Sequence, residues 1–312
     1  MTATAVRDAG TARSRRPRKS RQVRALTGRD RLIVALMVTV PTLVVVGLVW
    51  GPAIGTVLLS FTDWNGIGNI GDINVVGLEN YHNVTSNYPP FQPAIEHNVI
   101  WLVVFFLGPT LLGMLLAVML DRQLVGSRIY QSIFFMPVVL SLALVGFIWQ
   151  LIYSRDQGLL NAVLHTQTDW FGDPDINLWA VLVAAGWRHT GYIMLLYLAG
   201  LKSVDPVLRE AASVDGASEV RTFFQVVLPV MRPVNIIIVV ITVIESLRAF
   251  DIAWVINKGR NGLELISTLV TQNVIGEASR VGFGSALATI MIVISTVFIV
   301  IYLIQVMREQ RR

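Results

Sequence analysis

Arg188, Glu245, Arg248 and Asp251 stand in stretches that are otherwise apolar. A charge surrounded by hydrocarbon is costly, so it marks an ion pair, a water-lined cavity or a binding surface. Glu245 and Arg248 are three residues apart and share a helix face, so they can neutralise each other. Arg188 can pair with Glu245 or Asp251 across a bundle. The spacing also makes a second reading available. Ala185, Arg188, His189 and Tyr192 fall at i, i+3, i+4 and i+7, and Thr242, Glu245, Ser246 and Arg248 form a matching surface. Planar hydrogen bonders beside an aromatic ring suit hydroxyl groups and the apolar faces of a pyranose. Solute contact and structural pairing stay open for each of these side chains. Trp187 and Phe250 read as packing residues. No catalytic group is expected, because no nucleophile-base pair is evident and His82, His97 and His165 fall in predicted loops. No metal is expected either: His189 has no second His near it, and the chain contains no cysteine.

The elements that carry these residues are set by hydrophobicity. Hydrophobic residues make up 54% of the chain and charged ones 14%, against roughly a quarter charged in a soluble domain, so the chain belongs in lipid. A membrane-spanning helix needs about 20 mostly apolar residues. Six stretches qualify: residues 31–59, 98–120, 131–153, 177–201, 233–256 and 283–306. The expected fold is therefore an all-α integral membrane protein with six transmembrane helices. The first run is far longer than the core of a cleaved signal peptide and reads as a retained span.

Lys and Arg set the orientation. Ten basic residues precede the first span and none lies in residues 61–97. Residues 121–130, 202–232 and 307–312 hold nine more, whereas the opposite loops hold only Arg155, Lys258, Arg260 and Arg280. The positive-inside rule then makes both termini cytoplasmic. Residues 1–28 lack apolar periodicity and read as a disordered basic tail preceding a transmembrane domain of residues 29–312. Lipid contact explains the tail's charges, and no nucleic-acid partner is expected.

The longest cytoplasmic loop, residues 202–232, has marked internal order. Asp205 can cap a helix whose first residue is Pro206, and Asp215-Gly216 breaks it. Val207, Leu208, Ala211 and Val214 recur at helical spacing, leaving Arg209, Glu210 and Ser213 as the more exposed positions. Ser218 can cap a second helix running to Leu228-Pro229. Two short angled helices make either a knob for a partner's groove or a segment resting on the membrane surface.

Glu210-Ala211-Ala212, Asp215-Gly216-Ala217, Leu228-Pro229 and Pro233 together resemble the EAA loop of bacterial ABC importer permeases. Phe134-Phe135-Met136-Pro137, Trp149, Gly158-Leu159-Leu160-Asn161, Phe250-Asp251 and the Asn257-Lys258-Gly259 turn resemble carbohydrate-type permeases of the maltose-transporter class. The turn departs from that class at Lys258-Gly259-Arg260-Asn261-Gly262, where many relatives have Gly-Gly-Pro. The resemblance implies a type I importer core in the bacterial cell membrane. It also implies a second permease subunit, two cytoplasmic ATPase subunits and an extracytoplasmic sugar-binding protein as partners. Residues Glu210 to Ala217 would then be the ATPase-coupling segment, and Arg188, His189, Tyr192, Thr242, Glu245, Ser246, Arg248 and Asp251 would line the substrate pathway. The chain has no GxxxxGK[ST] loop, so it binds no cofactor by this reading, and ATP and Mg belong to the ATPase. The alternative is an ion- or proton-coupled secondary carrier using Glu245 and Asp251 as relays; such carriers usually show internal repeats, and none is evident.

Overall fold

A computed structural model of the chain describes residues 27–69, 71, 73–122, 126–276 and 279–310, with only the helical backbone of residues 305–307, 309 and 310. The expected disordered tail lies outside the described residues except at its end. There Thr27 and Gly28 open a helix three residues earlier than hydropathy suggests. Thr27 Oγ1 accepts from Asp30 N (3.3 Å), and Asp30 accepts in return from Thr27 N (3.0 Å), a reciprocal cap that defines the start of α1, Gly28–Val45.

The chain divides into a unit ending at Pro52 and a second, much larger unit from Ala53 onward. In the first, α1 and the wider turn Val46–Trp50 leave every described side chain exposed. That suits a helix whose solvent is lipid. Among the described residues there is no β-strand, only a bridge between Thr62 and Val75.

In the second unit the helices are α2 (Gly51–Leu59, from Ala53 onward), α3 (Glu79–Ser86), α4 (Phe91–Phe105), α5 (Leu111–Asp121), α6 (Ser127–Val139), α7 (Leu142–Ile152), α8 (Leu159–Leu164) and α9 (Pro174–Ser203). They are followed by α10 (Pro206–Val214), α11 (Glu219–Thr222), α12 (Leu228–Val230), α13 (Arg232–Leu247), α14 (Asp251–Asn257), α15 (Ile266–Val274) and α16 (Val281–Gln310). Three helical stretches, residues 28–59, 91–121 and 281–304, are each long and apolar enough to cross a membrane. Three more candidates are bent pairs: α6 and α7 turn through 101°, α9 and α10 through 72°, and the run Glu219–Val230 meets Arg232–Asn257 at 77°. The third expected span is thus broken. Leu140 is extended and Ser141 starts a new helix by accepting from Leu144 N (3.2 Å), just beyond Pro137. The fifth is interrupted between Leu247 and Asp251, so Arg248 lies at a helix break rather than inside a span.

The long helix α9 is the axis of this unit. Its 30 residues, about 45 Å at 1.5 Å per residue, pack against α4, α5, α6, α7 and α13. Lipid tails give helices no hydrophobic reason to associate, so close steric fit must do it. Glycines supply that fit. A Cβ on Gly113 of α5 would lie 2.9 Å from Ile193, and one on Gly191 would overlap the Phe134 carbonyl oxygen of α6. One core cluster gathers Trp101, Val181, Ile252 and Leu263, a second Ala117, Ile193, Leu198 and Ile238, and a third Val84, Leu269 and Leu287. The loop expected between the first two spans folds onto itself. Asn80 Nδ2 donates to the carbonyls of Ser60 (2.9 Å) and Thr62 (2.8 Å), and the hydroxyls of Ser60 and Tyr81 are hydrogen-bonded (2.6 Å). His97, expected in that loop, is helical in α4, with Nδ1 2.9 Å from the Glu264 carbonyl.

Candidate functional site

Two open clefts meet at α9 and α13, and Arg188, His189 and Glu245 line both. One, about 540 Å³, is completed by Trp101, Phe105, Leu142, Ala185 and residues 248–252. The other, about 670 Å³, is completed by Val138, Tyr192, Ile241 and Ile244. The helical stripe read from spacing is therefore real: Ala185, Arg188, His189 and Tyr192 of α9 face space that Glu245 shares.

None of the ion pairs formed among the described residues involves Arg188, Glu245, Arg248 or Asp251. Arg188 Nε is buried without a hydrogen-bond acceptor, as is Nε1 of Trp101 on the facing helix α4. A buried donor without an acceptor costs on the order of 1–3 kcal/mol, so the wall behind the first cleft carries two unmet donors. Arg248 and Asp251 are exposed at the helix break, not enclosed.

Thr242 and Ser246 do not line either cleft. Both are fully buried. Thr242 Oγ1 lies 3.3 Å from His189 Nε2 and 3.5 Å from Thr110 Oγ1, while Ser246 donates to the Thr242 carbonyl (2.7 Å). The first bond fastens α13 to α9 and the second ties it to the turn between α4 and α5, while the third lies within α13. His189 is itself buried, stacked on Phe105 with ring centres 4.7 Å apart. Trp101 and Phe105 were not read as site residues from sequence. Their signal is faint but present, since Asn98, Trp101 and Phe105 lie at i, i+3 and i+7 within an apolar run.

The other end of α9 leads into residues 205–230. Asp205 caps α10 by accepting from Val207 N (3.0 Å), and Ser218 caps α11 by accepting from Arg221 N (3.3 Å). Between them Gly216 has φ +75°, which an L side chain resists, and the Ala212 carbonyl closes the turn by accepting from Ala217 N (3.0 Å). The expected two-helix knob thus forms.

Glu210 and Ser213 are exposed as expected, while Arg209 is partly covered. Val207, Leu208, Ala211 and Val214 are exposed together with Glu210, Asp215 and Gly216, and Val214 is 87% accessible. The inward side is held by Ala212 and by Arg209, which donates to Asp121 at the end of α5 (2.8 Å) and to the Leu201 carbonyl (3.2 Å). A second ion pair joins Arg122 to Glu219 (2.5 Å). Here a charged pair anchors the helix and leaves the apolar face free. Among the described residues, no group of three or more His, Cys, Asp or Glu side chains is placed to share a metal ion.

A bundle of apolar helices with a charged cleft at its middle and an exposed two-helix knob at one end defines a membrane-embedded transport subunit. Residues 109–311 match the family described as binding-protein-dependent transport system inner membrane component, and the chain belongs to that family. It is 31% identical over 245 residues to a xylose/arabinose import permease protein of Haloferax volcanii, covering 76% of each chain. It is also 31% identical over 232 residues to the trehalose/maltose transport system permease protein of Thermococcus litoralis, covering 73% of this chain and 78% of that one. The fold superposes on a chain of a bacterial ABC transporter involved in importing the acidic polysaccharide alginate, with a TM-score of 0.76 and 20% identity, over 90% of this chain and 96% of the other.

Proposed function

We propose that this chain is the permease subunit of an ATP-driven importer in the bacterial plasma membrane, moving a mono- to oligosaccharide handed over by an extracytoplasmic binding protein. The sugar cargo is supported by the xylose/arabinose and trehalose/maltose permeases among its relatives. The chain works beside a second permease subunit in a heterodimer and on two ATPase subunits, which bind ATP and Mg and perform the hydrolysis. Six spans put both termini and residues 202–232 in the cytoplasm.

The exposed knob carries this reading. An apolar face of Val207, Ala211 and Val214 with Glu210 and Asp215 beside it is what a polar-rimmed groove on a soluble partner would take. ATP-driven closure of the ATPases would move this knob, and α9, continuous with the hinge at Val204, would carry the motion to the cleft. Sugar hydroxyls there meet Arg188 and Glu245, with Tyr192 offering a ring face; His189, Thr242 and Ser246 hold that wall in place, and Arg248 and Asp251 guard its edge. The segment from Glu210 through Ala211, Ala212, Asp215 and Gly216 to Ala217 is the coupling element.

The test is uptake by the assembled importer carrying Glu210→Ala or Gly216→Val. Membrane insertion should be unchanged while ATP-dependent sugar uptake is lost. Full uptake by both variants would sink the coupling role.

A further inference from the structure

At the end of α9 opposite the knob, three of the four basic residues assigned by sequence to the loops on that side converge on one open cleft. Lys258, Arg260 and Arg280 line a space of about 1040 Å³ together with Tyr88, Trp254 and Gln272. No described residue lining it is a carboxylate, and none of the three cations takes part in an ion pair among the described residues. Exposed Lys and Arg are ordinarily solvated and mobile. These three are presented by a built framework.

Asn257 Oδ1 accepts from Gly259 N (3.1 Å) and Arg260 N (3.2 Å), and its Nδ2 donates to the Arg260 carbonyl (2.6 Å). Gln272 donates to the Lys258 carbonyl (2.7 Å), and Asn177 of α9 donates to the carbonyls of Arg260 (3.1 Å) and Asn261 (2.9 Å). Gly259 and Gly262 sit at positive φ with no room for a Cβ against Thr268 and Pro174. Arg280 is oriented by donating to Asn273 (2.9 Å) and by lying 4.8 Å over the Phe283 ring. Arg280, held at its side chain, and Lys258 and Arg260, carried on a fixed turn, thus share a mouth with two aromatic rings and the amides of Gln272 and Asn273.

A ring pair spans the wall between this cleft and the central one. Trp254, in its wall, stacks on Phe250, in the wall of the central cleft, with ring centres 5.4 Å apart and planes 23° from parallel. We propose that the Lys258–Arg260–Arg280 cleft captures an anionic saccharide, one bearing carboxylate or phosphate groups, and passes it along the Phe250–Trp254 ring pair to the central cleft. The rings distinguish this from a plain anion site, since stacked aromatic faces serve the apolar faces of sugar rings. The inference rests on the importer reading and names the class of cargo.

Binding of radiolabelled digalacturonate, glucose 6-phosphate and maltose to the detergent-solubilised importer tests it. The acidic probes should bind more tightly than maltose, and their binding should weaken as salt rises through about 0.15 M. The Lys258→Gln/Arg260→Gln variant, whose lost side chains make no hydrogen bonds among the described residues, should weaken them roughly tenfold and leave maltose unchanged. Preference for one acidic probe separates carboxylate from phosphate recognition. Equal binding of all three, no binding of either acidic probe, or an unaffected variant would each overturn the proposal. The importer reading is judged separately, by whether any saccharide enters proteoliposomes in an ATP- and binding-protein-dependent way.

Discussion

Arg209 and Asp121 make the contact on which the orientation of the proposed coupling segment rests. The pair is half-buried at one partner and more deeply set at the other, and it fastens α10 to the end of α5. A pair of this exposure contributes about 1 kcal/mol or less, so Arg209→Gln should lower stability only slightly. Its effect on function should be larger, because α10 loses its anchor. Binding-protein-stimulated ATP hydrolysis is expected to fall several-fold in Arg209→Gln, and equally in Asp121→Asn. The double variant should lose no more than either single one, as for two residues acting as a unit. Additive losses would show that they act independently. Two glycines make a second contrast. A Cβ on Gly216 meets nothing within 4 Å, so Gly216→Ala pays only for its φ of +75°, about 1 kcal/mol. Gly259→Ala pays for its φ and for overlap with Thr268 Oγ1, and thermal unfolding should show it as the more destabilised of the two.

Among the elements, α9 and the 257–262 turn organise the cleft end of the molecule. Asn177 is fully buried and supplies two hydrogen bonds to that turn. Asn177→Leu should therefore cost on the order of 2 kcal/mol and loosen the turn, read as faster hydrogen exchange at Lys258 and Asn261. Helix content was legible in the sequence, because twenty-residue apolar runs admit little else. So was the knob, whose start and break are written in Asp205-Pro206 and Asp215-Gly216. The break between Leu140 and Ser141 was less visible, since Pro137 alone signals a kink and the 101° bend needs the Ser141 cap as well. The full exposure of α10's apolar face was not legible, because periodicity tells which residues share a side and not which side is covered. The central stripe was half legible. Arg188, His189, Tyr192 and Glu245 come together, while burial of Thr242 and Ser246 depends on packing with α4 and α9 that no single helix encodes. The cleft at Lys258, Arg260 and Arg280 joins a turn to the start of α16, a proximity invisible in linear order.

Across the whole molecule, charge and hydropathy divide the work. Apolar helices face lipid, the charged cleft lies midway along α9, and its two ends carry the knob and the basic cleft. In the proposed reading, energy enters through the knob from the ATPase subunits. The central claim is best tested with proteoliposomes holding the assembled importer, binding protein and labelled sugar outside, and ATP or ADP inside. Sugar should accumulate with ATP, not with ADP, and not when the binding protein is omitted. Accumulation driven by an imposed proton gradient with ADP inside, and abolished by an ionophore, would contradict the account and favour the ion-coupled carrier.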